Sequence, residues 1–477
     1  MLLLPTCKFF AGRQIEKDKR LCYSKGTETT MNRRIICLLL SLSLMAGMVC
    51  GCQSSEAEIP PTDPIPSEPT DVPTDPITTD PVTTDPTEPN TTNPTEPPEE
   101  EIMEGYWYNT TDYGIQVNEN GMMQLAGEDL YVAGTNCYNL FNQCFDDFSP
   151  EEAKRTLDVL KENGIFIVRF NCGGYSYRDL EFYMQNKEAY LELLRQIVNY
   201  AQRLEIGLIP SFFWLYHAVP DYYDEPLRSW GRADSKTVQH LCDYTAAVVN
   251  KLKDSKAIFA WEFGNEFNLS CNLPNADEHM PALPAHSKRT QRTAEDYLSA
   301  TDVQYAIQRF SQTIHAIDNT GRMITSGNAT LRPSQYNQLK YNSWNQDTYE
   351  EYKQISAMYA PDGVDTISEH VYFQSQKTFG KDLSLSQYLS YVLQAAREQK
   401  KAYFVGEWGG GSDEDMSAYR EIGNDFVDAG VQVCLFWNFN LEEDSIEYSY
   451  SADSTRGKRI FTVIAELNHR YQTEFNL

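Results

Sequence analysis

Two glutamates stand out by their surroundings. Glu266 closes the run Ala260-Trp261-Glu262-Phe263-Gly264-Asn265-Glu266, and Glu407 sits in Val405-Gly406-Glu407-Trp408-Gly409. Each follows a short apolar stretch that reads as a buried strand. Two carboxyl groups gathered at such strand ends can hold different protonation states, one giving up a proton while the other stays an anion. Further chemistry-bearing residues end other apolar runs: Tyr138 in Gly134-Thr135-Asn136-Cys137-Tyr138, Arg169 in Val168-Arg169-Phe170-Asn171, Trp214 after Phe212-Phe213, His370 and Tyr372 in Ser368-Glu369-His370-Val371-Tyr372, and Trp437 in Leu435-Phe436-Trp437-Asn438. Other chemistries lack their residues. No two of the seven histidines stand at i, i+4, and no C-x-x-C spacing occurs among the eleven cysteines. Neither a metal nor a cofactor is therefore expected. Cys137, Cys144, Cys172, Cys242, Cys271 and Cys434 are expected as free, partly buried thiols.

These residues need a frame that brings many strand ends to one place. Eight apolar runs qualify as strands: Tyr131–Thr135, Ile165–Phe170, Gly207–Phe213, Ala257–Phe263, Met323–Ser326, Thr366–Ser368, Ala402–Val405 and Gln432–Phe436. A hairpin over Gly114–Val117 and Met122–Leu125 precedes them. Helical patterns fill the gaps. In the first, Ser149 is expected as the N-cap, Pro150 at the first position, Glu152 completing a capping box and Gly164 closing the helix. Strands apolar throughout, each followed by room for a helix, imply a parallel sheet covered on its outer face. Eight such units over residues 104–477 predict an α/β fold of the (β/α)8 TIM-barrel type, with chemistry at the carboxyl ends of the strands. No G-x-G-x-x-G follows the first strand, so a dinucleotide fold gains nothing. Glu262, inside the fourth strand, reads as structural.

Asn-Glu at the fourth strand, His-x-Tyr at the sixth, Glu-Trp-Gly at the seventh and Trp at the eighth together resemble the retaining glycoside hydrolases of the clan that includes family 5. The resemblance covers roughly residues 106–470. Gly134-Thr135-Asn136-Cys137-Tyr138 and Ile258-Phe259-Ala260-Trp261-Glu262 look most like the endo-β-1,4-mannanases of that family, whereas the Pro-rich stretch from Phe267 to Thr293 departs from their pattern. The resemblance implies Glu266 as acid/base and Glu407 as nucleophile, about 5–5.5 Å apart. It implies Arg169, Asn265, His370, Tyr372, Trp437, Trp214, Trp408 and Tyr138 as substrate-binding residues, Asn265 donating to the sugar 2-hydroxyl. Arg169 and Tyr372 are expected to lower the Glu407 pKa, while burial and the adjacent negative charge raise that of Glu266. Trp214, Trp344 and Trp408 are candidate stacking platforms along an open cleft. The activity implied is endo-cleavage of β-linked mannan or glucan. Two alternatives remain: a carbohydrate-binding protein without hydrolytic activity on the same barrel, and a transglycosylase using the same residues.

Charge is unevenly spread. Residues 1–52 carry eight Lys/Arg against three acids, residues 53–101 carry thirteen acids and no base, and the whole chain is at −28. A strongly acidic main region argues against nucleic acid as a partner and is compatible with a neutral polysaccharide. Residues 1–30 read as an over-extended start. From Met31, Arg33-Arg34 and the apolar Ile35–Val49 form an export signal ending at Cys52. Val49-Cys50-Gly51-Cys52 resembles a bacterial lipobox, which implies acylation of Cys52 and a cell-surface lipoprotein touching the membrane only through its lipid. Thr-Asp/Glu-Pro units recur from Thr62-Asp63-Pro64 to Thr95-Glu96-Pro97. Proline without backbone donors, like charges and scarce apolar residues predict a disordered Pro/Thr/acidic linker over 53–103. The catalytic domain is expected to act as a monomer.

Overall fold

The structure, a computed structural model, describes residues 112–372, 377–409, 416–441 and 449–475. The expected export segment, Cys52 and the linker lie outside these residues. The hairpin forms as expected: β1 (Ile115–Val117) pairs antiparallel with β2 (Met123–Leu125), and β3 (Glu128–Asp129) adds to β2. It abuts the end of the barrel, where Ile115 N donates to Phe259 O at 2.8 Å.

Eight parallel strands follow: β4 (Val132–Asn136), β5 (Ile167–Asn171), β6 (Gly207–Phe213), β7 (Ala260–Gly264), β8 (Met323–Thr325), β9 (Thr366–Val371), then, after the small hairpin β10 (Lys377–Thr378) and β11 (Lys381–Asp382), β12 (Ala402–Trp408) and β13 (Val433–Phe436). Their order is β8-β7-β6-β5-β4-β13-β12-β9, so chain neighbours are sheet neighbours and β13 returns to β4. The remaining seam between β8 and β9 is bridged by Asp365 N to Ile324 O at 2.9 Å and by the Thr366 and Thr325 hydroxyls at 2.7 Å. This is the expected (β/α)8 barrel, nearly closed. Every residue of β4 to β9, β12 and β13 is buried, because helices cover the outer face and side chains fill the interior.

The outer layer comprises α1 (Glu151–Glu162), α2 (Tyr177–Gln185), α3 (Lys187–Arg203), α4 (Ala218–Tyr222), α5 (Lys236–Leu252), α6 (Ala300–His315), α7 (Gln335–Tyr341), α8 (Tyr349–Tyr359), α9 (Leu385–Glu398), α10 (Ser417–Ala429) and α11 (Thr455–Glu474). The expected capping box on α1 does not form. Pro150 is the flanking residue, its carbonyl accepting from Lys154 N, and the expected cap Ser149 accepts from Glu151 N at 3.4 Å without a return bond from Glu152. Gly164 ends the turn after it at φ +74°. Six cysteines of the barrel carry free thiols, five of them buried, as expected.

One irregularity shapes the carboxyl end of the barrel. β12 pairs Val405 with Glu369 and then Glu407 with His370, leaving Gly406 as an extra residue. A bulge of this kind re-aims the next side chain. A Cβ on Gly406 would lie 3.0 Å from His370 Nε2, so glycine lets the histidine ring seat against the strand.

Candidate active site

Arg169 organises the carboxyl ends of the strands. Its Nε donates to Glu262 Oε1 at 2.7 Å, Nη1 to Asn136 Oδ1 at 2.9 Å and to Glu407 Oε1 at 2.8 Å, and Nη2 to Asn265 Oδ1 at 2.8 Å. The guanidinium is fully buried and lies 4.9 Å from the ring centre of Trp214. One cation thus ties together side chains from β4, β7 and β12 and from the residues just after β6 and β7, and its fork fits them because all five N–H groups are directional. With its oxygen engaged, Asn265 has only its amide N–H groups to offer a substrate, and part of its surface is open. Glu262 is an ion-pair partner inside the barrel, in agreement with its structural reading.

Glu407 receives Tyr372 Oη on Oε2 at 2.9 Å in addition to Arg169 on Oε1. Glu266 lies opposite. His370 Nδ1 stands between them, 3.0 Å from Glu266 Oε1 and 3.4 Å from Glu407 Oε1, and oxygens of the two glutamates lie within 4.8 Å of each other. The side chain of Glu266 is 27% exposed, against 5% for Glu407. Glu266, His370 and Glu407 offer donor atoms close enough to hold a cation. The Arg169 guanidinium on Glu407 opposes that use by charge repulsion.

Burial sets the protonation pattern. The Glu266 carboxyl is pushed up to about 7, with Arg169 pulling the other way. Burial, and not the expected neighbouring negative charge, is the cause. Burial also drops His370 to about 4, so the imidazole is neutral. For Glu407, Arg169 and Tyr372 act in the expected lowering direction, but the net shift is upward. Desolvation lifts its carboxyl above the ordinary range, and Arg169 and Tyr372 reduce this rise without cancelling it. Tyr372 is held well above its usual pKa and stays protonated. Glu407 is nevertheless the carboxyl on which charged and neutral donors converge.

Tyr138, Trp214 and Trp437 form an aromatic wall beside this cluster. Trp437 stacks on Tyr138 at 5.7 Å and on Trp214 at 6.2 Å, and both Tyr138 and Trp437 keep part of their surface open. Trp408 is a correction. It is fully buried and packs edge-on against Phe426 and Phe436, away from any opening. Neighbouring residues of a strand point to opposite faces. Glu407 faces the barrel interior, so Trp408 faces the helices. Trp344 lies between α7 and α8 and is 50% exposed.

The sequence reading missed the supports of Glu266. Its backbone is left-handed, φ +56° and ψ +28°, which costs a residue with a Cβ about 1–2 kcal/mol. Its N–H donates to Gly327 O at 2.8 Å, and a Cβ on Gly327 would lie 1.9 Å from Gly264 O. Asn268 and Ala329 exchange two hydrogen bonds between the same segments. Buried Arg332 donates to the carbonyls of Asn268, Leu269 and Cys271 just after Glu266. Asn136, whose Nδ2 donates to Gly406 O at 2.9 Å, links Arg169 to the bulge beside Glu407. Only the glycines could have flagged these contacts, since loop-to-loop pairing has no periodic signature.

A close acid pair, an arginine hub and an aromatic wall meet at the carboxyl ends of a (β/α)8 barrel, where an enzyme of this fold carries its chemistry. The family model described as cellulase (glycosyl hydrolase family 5) matches residues 124–443. The chain belongs to glycosyl hydrolase family 5 and is an O-glycosyl hydrolase by that membership. Among solved structures it is similar in fold to an endo-1,4-β-mannanase from Rhizomucor miehei, with 16% identity over 75% of this chain and 99% of that one and a TM-score of 0.53. It is also similar to an endo-β-1,4-mannanase from Thermotoga petrophila, with 14% identity over 73% and 78% and a TM-score of 0.50. A third is a family 5 mannosidase from Rhizomucor miehei, with 12% identity over 76% and 99% and a TM-score of 0.51. No curated protein matches the chain.

Proposed function

We propose that the protein is a retaining endo-β-glycanase acting on β-1,4-linked mannan or glucan. The observation that carries this reading is the pairing of Glu266 and Glu407, with oxygens within 4.8 Å and unlike surroundings. A retaining mechanism needs carboxyl groups about 5–5.5 Å apart, whereas an inverting one needs roughly 6.5–9.5 Å to admit a water. Glu266, protonated near neutral pH, gives its proton to the departing glycosidic oxygen as a Glu407 oxygen bonds to the anomeric carbon and the C–O bond breaks. Glu407 then carries the sugar as an ester and no longer a charge. Glu266, now ionised, takes a proton from water, whose oxygen displaces Glu407 from the anomeric carbon. Arg169 and Tyr372 hold Glu407 in place, and Asn265 aims its amide at the sugar. Trp437, with Tyr138 and Trp214 behind it, offers a flat face to the ring being cleaved.

Mannan is the first substrate to try, because the opening Gly134–Tyr138 motif resembles mannanases and the similar folds bear that name. We further propose a cell-surface lipoprotein, acylated at Cys52 and held off the membrane by the 53–103 linker. Reducing-sugar release from mannan, cellulose, mixed-linkage glucan and xylan tests the activity. Release from a β-1,4-linked polymer is expected to be abolished in Glu407→Gln. Inactivity on the whole panel sinks the reading.

A further inference from the structure

A second concavity is lined by segments that carry neither member of the acid pair. It is a depression of about 170 Å³ between the segment after β4 and helix α2. Phe148 forms one lip. Its ring is 62% exposed, and its backbone is left-handed at φ +49°. A phenylalanine held in that conformation costs about 1–3 kcal/mol, and presenting an apolar ring to water adds to the cost. Such a combination points to use. Phe182 supports the ring edge-on at 4.9 Å and is itself packed on Phe145 at 5.6 Å.

The rest of the lining is polar, with one cation already paired and one carboxylate, Glu181, bonded to a neutral amide. Arg178 pairs with Asp146 at 2.8 Å and donates to Phe145 O at 2.9 Å. Gln185 donates to Glu181 at 3.1 Å. Exposed Asn186, between α2 and α3, makes no side-chain cap bond to α3. An aromatic face beside planar amide groups and a carboxylate that can accept from hydroxyls suits a neutral ligand that has an apolar C–H face and a hydroxyl rim. A pyranose ring has both. At 170 Å³ the space is smaller than the 300–1,000 Å³ of drug-sized sites, which suits one or two sugar units of a chain passing across it.

We propose that this depression is a second carbohydrate-binding site, which holds a neutral polysaccharide chain away from the cleavage site. It rests on the polysaccharide reading of the acid pair for its ligand class. A non-catalytic hold on the polymer raises the local concentration of chain at the active site through a second attachment.

Affinity electrophoresis of the full-length Glu407→Gln protein in gels containing glucomannan, galactomannan or a soluble cellulose tests it. Migration should be retarded by at least one neutral polymer. Adding Phe148→Ala or Asn186→Ala should weaken that retardation roughly fivefold to tenfold, about the worth of one aromatic or charge-free polar contact. In the wild-type background the same two changes should leave turnover of a short aryl glycoside and the thermal midpoint unchanged. Retardation equal in parent and Phe148→Ala overturns the proposal, as does no retardation in any gel. Phe148-dependent retardation in a protein that cleaves none of the polymers would keep this site and remove the catalytic reading instead.

Discussion

His370 Nδ1 lies 3.0 Å from Glu266 and 3.4 Å from Glu407, so one neutral imidazole spans both carboxyl groups. Its seat depends on Gly406, where a side chain would meet the ring. A neutral ring adds no charge to favour ionisation of Glu266, whose carboxyl stays up to about 7 through burial. The acid must be protonated to act. On the proposed mechanism kcat/KM therefore falls about tenfold per pH unit above 7, and the fall is read from a pH–rate profile on polymer. Burial sets the limb, so direct titration of Glu407→Gln should leave the Glu266 carboxyl near 7.

Stability should follow the same variable for a different reason. Glu369 lies outside the barrel interior and accepts from the hydroxyls of Tyr352, Tyr388 and Tyr403 at 2.9–3.0 Å. Burial nonetheless raises it from 4.5 to about 7. A folded-state pKa above the unfolded one means the folded chain binds the proton more tightly. The associated stability is complete below the unfolded value and is lost as pH rises through about 7, a swing of about 3 kcal/mol. The thermal midpoint should drop between pH 5 and pH 8. Glu369→Gln should flatten part of that drop, the rest falling to groups such as Glu266 that burial raises as far, and an unchanged slope would assign all of it to them.

Arg332 supplies the third test. It makes no direct contact with Glu266 but gathers three carbonyls of the turn behind it. Arg332→Met strands those acceptors in a buried place at about 1–3 kcal/mol each. Melting should reveal the loss. As a positioning residue it should also cost turnover on polymer more than on an aryl glycoside with a good leaving group, which needs little help from Glu266. Arg332→Lys, keeping one donor, should recover part of both. Equal losses on the two substrates would mark a purely structural role.

Localisation is testable at Cys52, which follows Val49-Cys50-Gly51. If acylated, the mature protein partitions into detergent, and Cys52→Ala either stays unprocessed or leaves the cell surface. Wild-type protein found wholly in the aqueous phase would end the lipid anchor.

How much of the barrel and its site is legible in the sequence depends on the kind of contact. The apolar pattern places strand β6 at Gly207–Phe213, the range the structure gives, because seven consecutive buried residues leave one reading. β9 and β12 run three residues further than expected, to Val371 and Trp408, since polar Glu369, His370 and Glu407 interrupt the apolar pattern. Those interruptions are the site itself. The residues converging on Arg169 are visible as strand ends. Trp408 is misassigned when proximity in sequence outweighs the alternation of a strand. The left-handed turn at Glu266 and its clasp by Arg332 arise between loops, where spacing carries no information.

The acid pair gives the most specific prediction. Glu407→Gln leaves an amide that keeps the shape but cannot bond to the anomeric carbon as an anion, so turnover should fall by several orders of magnitude on every substrate. Glu266→Ala should act selectively. With an unactivated leaving group the first step loses its proton donor and slows severely. With a dinitrophenyl glycoside the C–O bond breaks unaided, Glu407 is glycosylated, and the intermediate accumulates because no base activates water. Azide needs no base. It should therefore restore turnover of Glu266→Ala and release a glycosyl azide in which two displacements at the same carbon have retained configuration. Azide entering Glu407→Gln would displace once and give the inverted product. An inverted azide from Glu266→Ala, or rescue of neither variant, would exclude the covalent route that oxygens within 4.8 Å of each other support.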